Sequence, residues 1–247
     1  MIVFGYALAL LIGLSLGLLG GGGSMLTVPV LHYVMGYEVK QAIPMSLVVV
    51  GLTSAVGALA HWRGGNLNLR TALAFGPPAI VGALLGAELG LRSSAALQLT
   101  VFAVVMLVAA VSMFLGQSAL EHASREPRHP IPLITLVGGL VGLLTGFVGV
   151  GGGFLYVPTL VLLAGLPMKK AVGTSLALIV ISCIAGVVRY HGSQHLDWRA
   201  IALFTAIALL GVAVGSRLVR QVSQTLLRRS FAVFLLLMGA LVLLRGR

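Results

Sequence analysis

Apolar stretches of about 20 residues recur along the whole chain, and this recurrence limits the fold more than any other feature. A helix of that length crosses a hydrocarbon core about 30 Å thick. Water cannot be the main solvent. Of 247 residues, 59% are hydrophobic and 9% charged, and the mean hydropathy is +1.10; a soluble domain carries roughly 25% charged residues. A cleaved signal peptide at residues 1–20 is rejected, because no basic region precedes the apolar run and no small-residue cleavage site follows it. Ten segments can be read: Ile2–Leu19, Met25–Met35, Ala42–Ala60, Thr71–Leu89, Leu97–Leu115, Ile131–Val148, Phe154–Ala164, Ala171–Val188, Ala200–Leu218 and Phe231–Leu244. All are expected to be helices, which satisfy their own backbone hydrogen bonds in lipid. The second and seventh are too short to span. Each follows a Gly cluster and contains a Pro, the pattern of a discontinuous or re-entrant helix.

The two halves match. A shift of 129 positions, without a gap, places Gly13 and Gly17 on Gly142 and Gly146, and Gly20, Gly22 and Gly23 on Gly149, Gly151 and Gly152. It also places Val28-Pro29 on Val157-Pro158, Ser46 on Ser175, and Gly82 and Gly86 on Gly211 and Gly215. The expected fold is therefore an all-α polytopic membrane protein of two homologous repeats, with about five helical segments in each and eight to ten in all. The first repeat covers residues 1–116 and the second 131–247. Between them lies a polar surface linker, 117–130, holding Glu121, Arg125, Glu126 and Arg128. Five crossings per repeat invert the second copy, whereas four leave the copies parallel; the inverted pseudo-two-fold is the reading adopted. The Lys and Arg count slightly favours as cytoplasmic the side holding Arg63, Arg70, Lys169, Lys170, Arg217, Arg220, Arg228 and Arg229.

At these residues the chain resembles the TauE/SafE sulfite exporter family. Gly20-Gly-Gly-Gly-Ser-Met-Leu-Thr-Val-Pro29 and Gly149-Val-Gly-Gly-Gly-Phe-Leu-Tyr-Val-Pro158 carry the resemblance, with Ala42-x-x-x-Ser46 and Ala171-x-x-x-Ser175 after them. The resemblance implies transport of sulfite, organosulfonates or related small anions across the cytoplasmic (inner) membrane of a prokaryote. The copies differ where Gly21 and Ser24 face Val150 and Gly153.

The residues point toward an anion independently. The net charge is +11, with 16 Lys+Arg against 5 Asp+Glu, and most of the basic residues lie at segment ends, where they meet headgroups rather than nucleic acid. No acid is central to an apolar run, which argues for an anionic or neutral solute. Helices that start at the Gly clusters have free N–H groups and a positive dipole end. Gly21, Gly22, Gly23, Gly151, Gly152 and Gly153 are thus candidate substrate contacts, with Pro29 and Pro158 fixing the breaks and Ser24, Thr27 and Tyr156 beside them. Two such N-termini pointing at one cavity would form an oxyanion site. Ser46, Thr174 and Ser175 add hydroxyls at membrane depth, although such groups often bond back to the preceding turn. Arg63, Arg189, His61 and His191 are candidate vestibule or gating residues, with snorkelling to headgroups as the alternative. Glu88 and Arg92, four apart, are expected to pair. With one cysteine, Cys183, and no metal-ligand spacing, neither a metal site nor a cofactor is expected. A small anion and the lipid bilayer are the expected partners, and a coupling proton or sodium ion and a homodimer remain open. The expected activity is secondary transport, in the export direction, by alternating access around a midplane site; a passive anion channel is the alternative, and nothing resembles an enzyme's nucleophile–base pair.

Overall fold

The computed structural model describes residues 2–115, 131–148, 153–190, 196–219 and parts of 221–240. Among the described residues, nine α-helices follow one another up to Leu218. They are α1 (Ile2–Leu19), α2 (Gly22–Pro29), α3 (Val39–Arg63), α4 (Leu69–Arg92), α5 (Ala95–Leu115), α6 (Ile131–Val148), α7 (Gly153–Leu162), α8 (Met168–Tyr190) and α9 (Trp198–Leu218). The linker 117–130 lies outside the described residues, as does much of the tenth expected segment. Four helices, α3, α4, α8 and α9, are long and apolar enough to cross a membrane. At 25 residues, α3 is about 37 Å long. The chain is a multi-pass helical membrane protein.

Glycine contacts set the helix directions. A Cβ added at Gly13 would stand 1.9 Å from the Ala208 carbonyl oxygen, and one at Gly17 would stand 2.7 Å from that of Val212. So α1 and α9 run parallel, backbone against backbone, as small residues permit in membranes. A Cβ at Gly142 would meet the Ala79 carbonyl and one at Gly146 that of Ala83, each at 2.1 Å, which makes α4 and α6 parallel in the same way. The reciprocal contacts come from Gly211 and Gly215 against α1, and from Gly82 and Gly86 against α6. Each contact of one pair has its counterpart 129 positions away in the other.

The centre is the α3–α8 crossing, whose inner faces are the most buried of the long helices. Gly51 faces Cys183, Gly57 faces Leu176 and Gly186 faces Leu47. Low numbers meet high ones, so α3 and α8 are antiparallel. Helix α4 runs with α8, because Asn68 meets Thr174 and Gly90 meets Tyr190. These directions alternate along the chain. α1, α3, α5, α7 and α9 run one way, and α2, α4, α6 and α8 the other.

The short helices fold back beside their predecessors. Gly23 lies against Ile12 and Leu16, and Gly5 against Met35, so α2 returns along α1. Pro29 has no N–H to give, and the ladder slips there into a π-helical turn, Val30–Val34, closed by Met35 N–H to the Val30 carbonyl at 3.0 Å. At the end of α7 the Thr159 carbonyl keeps its α-helical bond from Leu163 N–H at 2.9 Å and takes Ala164 N–H as a second, longer donor at 3.4 Å.

Candidate functional site

The break between α1 and α2 is made by Gly20, which sits at φ +69, a left-handed conformation that glycine adopts freely. A Cβ there would approach Ser175 Oγ and the Val172 Cα, both to 2.8 Å. Ser175 Oγ donates to the Gly20 carbonyl at 3.0 Å, and the Val172 carbonyl lies 2.8 Å from the same hydroxyl. The start of α8 therefore latches the break in the other half of the chain. Helix α2 then begins with Gly21 as its N-cap and with no side-chain cap. Ser24, which could have capped it, sends its hydroxyl to the Gly21 carbonyl at 2.7 Å instead. Gly21, Gly23, Ser24 and Met25 are all buried. The result is a buried helix N-terminus whose first N–H groups no side chain caps, the arrangement that suits an anion.

Most of the expected hydroxyls bond to their own helices. Thr27 Oγ1 donates to the Gly23 carbonyl at 3.0 Å and Ser46 Oγ to that of Ile43 at 2.8 Å. Thr174 Oγ1 accepts the Asn68 backbone N–H at 3.0 Å, which fixes the α3–α4 turn. Tyr156 is fully buried near the middle of the molecule. It shares a hydrogen bond with Ser182, lies beside Thr145, and stacks edge-on against Phe75 with ring centroids 5.6 Å apart. Ser54 Oγ and Thr205 Oγ1 are buried without a hydrogen-bond partner among the described residues.

The structure brings the two half-helices side by side but not head to head. They are antiparallel, so the start of α2 faces one end of the bundle and the start of α7 the other. The expectation of two N-termini converging on one cavity is replaced by one N-terminus toward each end. Pro29 and Pro158 both lie within the short helices. Gly153 begins α7, whereas Gly151, Gly152 and His191 lie outside the described residues.

The candidate vestibule residues are dispersed. His61 is buried, with Nε2 3.3 Å from the Gly17 carbonyl, and it packs α3 against α1. Arg63 is exposed at the end of α3. Arg189 pairs with Glu88, which also takes Arg92 at 2.7 Å. No group of three His, Cys, Asp or Glu side chains that could hold a metal occurs among the described residues.

Sequence reasoning missed two polar knots at the end of the bundle opposite the α1–α2 break. Lys40 Nζ donates to the carbonyls of Gly90 and Ser93, at 2.7 and 2.6 Å, and to Gln98 Oε1 at 3.0 Å. Gln98 Nε2 in turn donates to the Phe147 carbonyl near the end of α6 at 2.7 Å. Tyr37 donates to Asp197 Oδ2 at 2.8 Å, while Asp197 Oδ1 accepts the Ala200 N–H as the N-cap of α9. The available signal was positional. Asp197 and Asn68 match in the 129 register, and each stands just before an apolar run, where N-caps occur.

Comparison with known proteins points to membrane transport. The profile of the family described as sulfite exporter TauE/SafE matches residues 6–242. A probable membrane transporter protein of Xylella fastidiosa is 31% identical over 241 residues, covering 96% of this chain and 92% of that protein. One from Methanocaldococcus jannaschii is 26% identical over 96% of this chain and 95% of its own length. A sulfite exporter TauE/SafE family protein of Arabidopsis thaliana is 33% identical over 39% of this chain and 22% of its own length.

Proposed function

The chain belongs to the TauE/SafE sulfite exporter family, and on that premise we propose that it is a secondary transporter exporting a small oxyanion by alternating access. Membrane transport itself follows from the family and from its relatives. The substrate is sulfite, an organosulfonate or a related sulfur-containing or organic anion, and the membrane is the cytoplasmic one. The repeats 1–116 and 131–247 arose by duplication and are related by an inverted pseudo-two-fold. The paired glycine contacts and the antiparallel α3 and α8 support that relation.

One observation carries the choice of an anion: the buried, uncapped start of α2. Its N–H groups and dipole offer partial positive charge without a fixed cation. An anion held this way is desolvated by neutral donors and can still leave. By the proposed two-fold, the start of α7 would serve the other end.

Sulfite flux in proteoliposomes tests this. Gly22→Val is expected to abolish flux while the protein still inserts, and wild-type flux in that variant would refute the half-helix site. Accumulation against a gradient, lost when the proton gradient collapses, would separate this carrier from a passive channel of the same shape.

A further inference from the structure

The two ends of the bundle share a backbone plan but not its side chains. At one end Tyr37 N–H reaches the Leu31 carbonyl at 3.0 Å and closes the turn after α2, and at the other Leu166 N–H reaches the Leu160 carbonyl at 3.0 Å after α7. At the first end Asp197 caps α9 through the Ala200 N–H at 3.0 Å, and at the second Asn68 caps α4 through the Thr71 N–H at 3.1 Å. Tyr37 and Leu166 match in the 129 register, as do Asp197 and Asn68. The difference is the phenol. Tyr37 crosses to Asp197 at 2.8 Å and ties the broken helix to α9, and Leu166 has no hydroxyl with which to reach Asn68.

We propose that Tyr37 and Asp197 form a one-sided latch that holds closed the end of the bundle where the α2 segment terminates and leaves the mirrored end, where α7 terminates, the freer to open. This rests on the alternating-access reading, in which the two half-helix ends are the moving parts. A hydrogen bond to a carboxylate is stronger than one between neutral groups. Two further contacts stiffen the same end. His32 Nδ1 lies 2.8 Å from the Tyr37 carbonyl, and the His32 ring packs tilted against Tyr33, with ring centroids 4.6 Å apart. The Ala200 N–H first, and then Tyr37, hold the Asp197 carboxyl below the usual carboxylate range, so it is charged across physiological pH. Burial and the Asp197 contact push the Tyr37 phenol up to about 12, which keeps its proton in place to donate. Tyr37 is therefore a positioning residue. It acts on the broken helix and needs no contact with substrate.

Hydrogen exchange read by mass spectrometry tests the latch without any substrate. The segments compared are 30–40 and 159–169, each corrected for intrinsic exchange, at neutral pH. In the wild type the first is expected to exchange more slowly than the second. Tyr37→Phe should raise exchange in segment 30–40 about three- to tenfold, the bond being half exposed, and leave segment 159–169 unchanged. Asp197→Asn keeps the cap, as Asn68 does at the other end, and should give a smaller rise confined to the same segment. Equal protection at the two ends of the wild type, no rise in Tyr37→Phe, or an equal rise at both ends would each overturn the latch. Because sulfite is absent from the measurement, the latch and the choice of anion stand or fall separately.

Discussion

A hydroxyl at membrane depth has three fates in this chain, and they sort the candidate residues. Ser24, Thr27 and Ser46 give their protons to carbonyls of the turn before them, as Ser and Thr commonly do in helices. Ser175 bonds across to the other half of the chain, and Ser54 has no partner among the described residues. Gly20 is the residue on which Ser175 acts. Gly20→Ala would meet two costs at once: a left-handed φ, worth about 1–3 kcal/mol for a non-glycine residue, and a Cβ 2.8 Å from Ser175 Oγ and the Val172 backbone. Gly65 separates these costs, because it has φ +70 and nothing within 4 Å of an added Cβ. Thermal unfolding in detergent is expected to show Gly20→Ala losing clearly more stability than Gly65→Ala. Equal losses would mean that the α8 contact at Gly20 gives way freely.

At the scale of elements, much was legible and the failures have physical causes. The bounds Ile2–Leu19 and Ile131–Val148 are the same in sequence and structure, because an apolar run flanked by a glycine cluster or a polar linker has sharp edges. Helix α2 begins three residues earlier than its apolar run, since glycines 22 and 23 are helical here. Gly23 must be small: its Cβ would stand 2.3 Å from the Ile12 carbonyl. Apolar count sees glycine as a break, whereas packing uses it as a contact. The antiparallel run of α2 and α7 accords with the inverted pseudo-two-fold adopted from the sequence, whereas the end that each N-terminus faces was hidden for a different reason, because periodicity reports which face is apolar and not which way a short helix points. The links Tyr37–Asp197 and Glu88–Arg189 span 160 and 101 residues, beyond the reach of local pattern. Pro29 carries the element-scale prediction. Alanine there restores a donor for the Met25 carbonyl and relieves part of the roughly 3 kcal/mol that an interior proline costs. The thermal midpoint of Pro29→Ala should hold or rise while sulfite flux falls, because the π turn straightens. A marked fall in midpoint would instead make the ring itself a packing element.

Over the whole molecule the charges divide by end. Helix directions place Arg63, Arg70, Lys169, Lys170 and Arg217 at one end of the bundle. The opposite end holds Lys40, Arg92, Arg189 and Arg199 against Glu38, Glu88 and Asp197, which nearly balances. Two of those pairs are direct contacts, Arg92 and Arg189 on Glu88. Lys and Arg in short loops favour the cytoplasmic side whatever acids lie near them, so the Arg63 end, with five of them against four, should face inward and the latched Tyr37 end outward. The closed outer end of a carrier that loads from the cytoplasm is also what export requires. Single cysteines in a Cys183→Ser background can decide the orientation. Leu69 and Ser94 are exposed, lie at opposite ends, and leave the charge pattern untouched when replaced. A membrane-impermeant maleimide on intact cells should label Ser94→Cys, and should label Leu69→Cys only after the cells are opened. The reverse pattern would place the Tyr37–Asp197 latch in the cytoplasm and turn the proposed resting state into one suited to uptake.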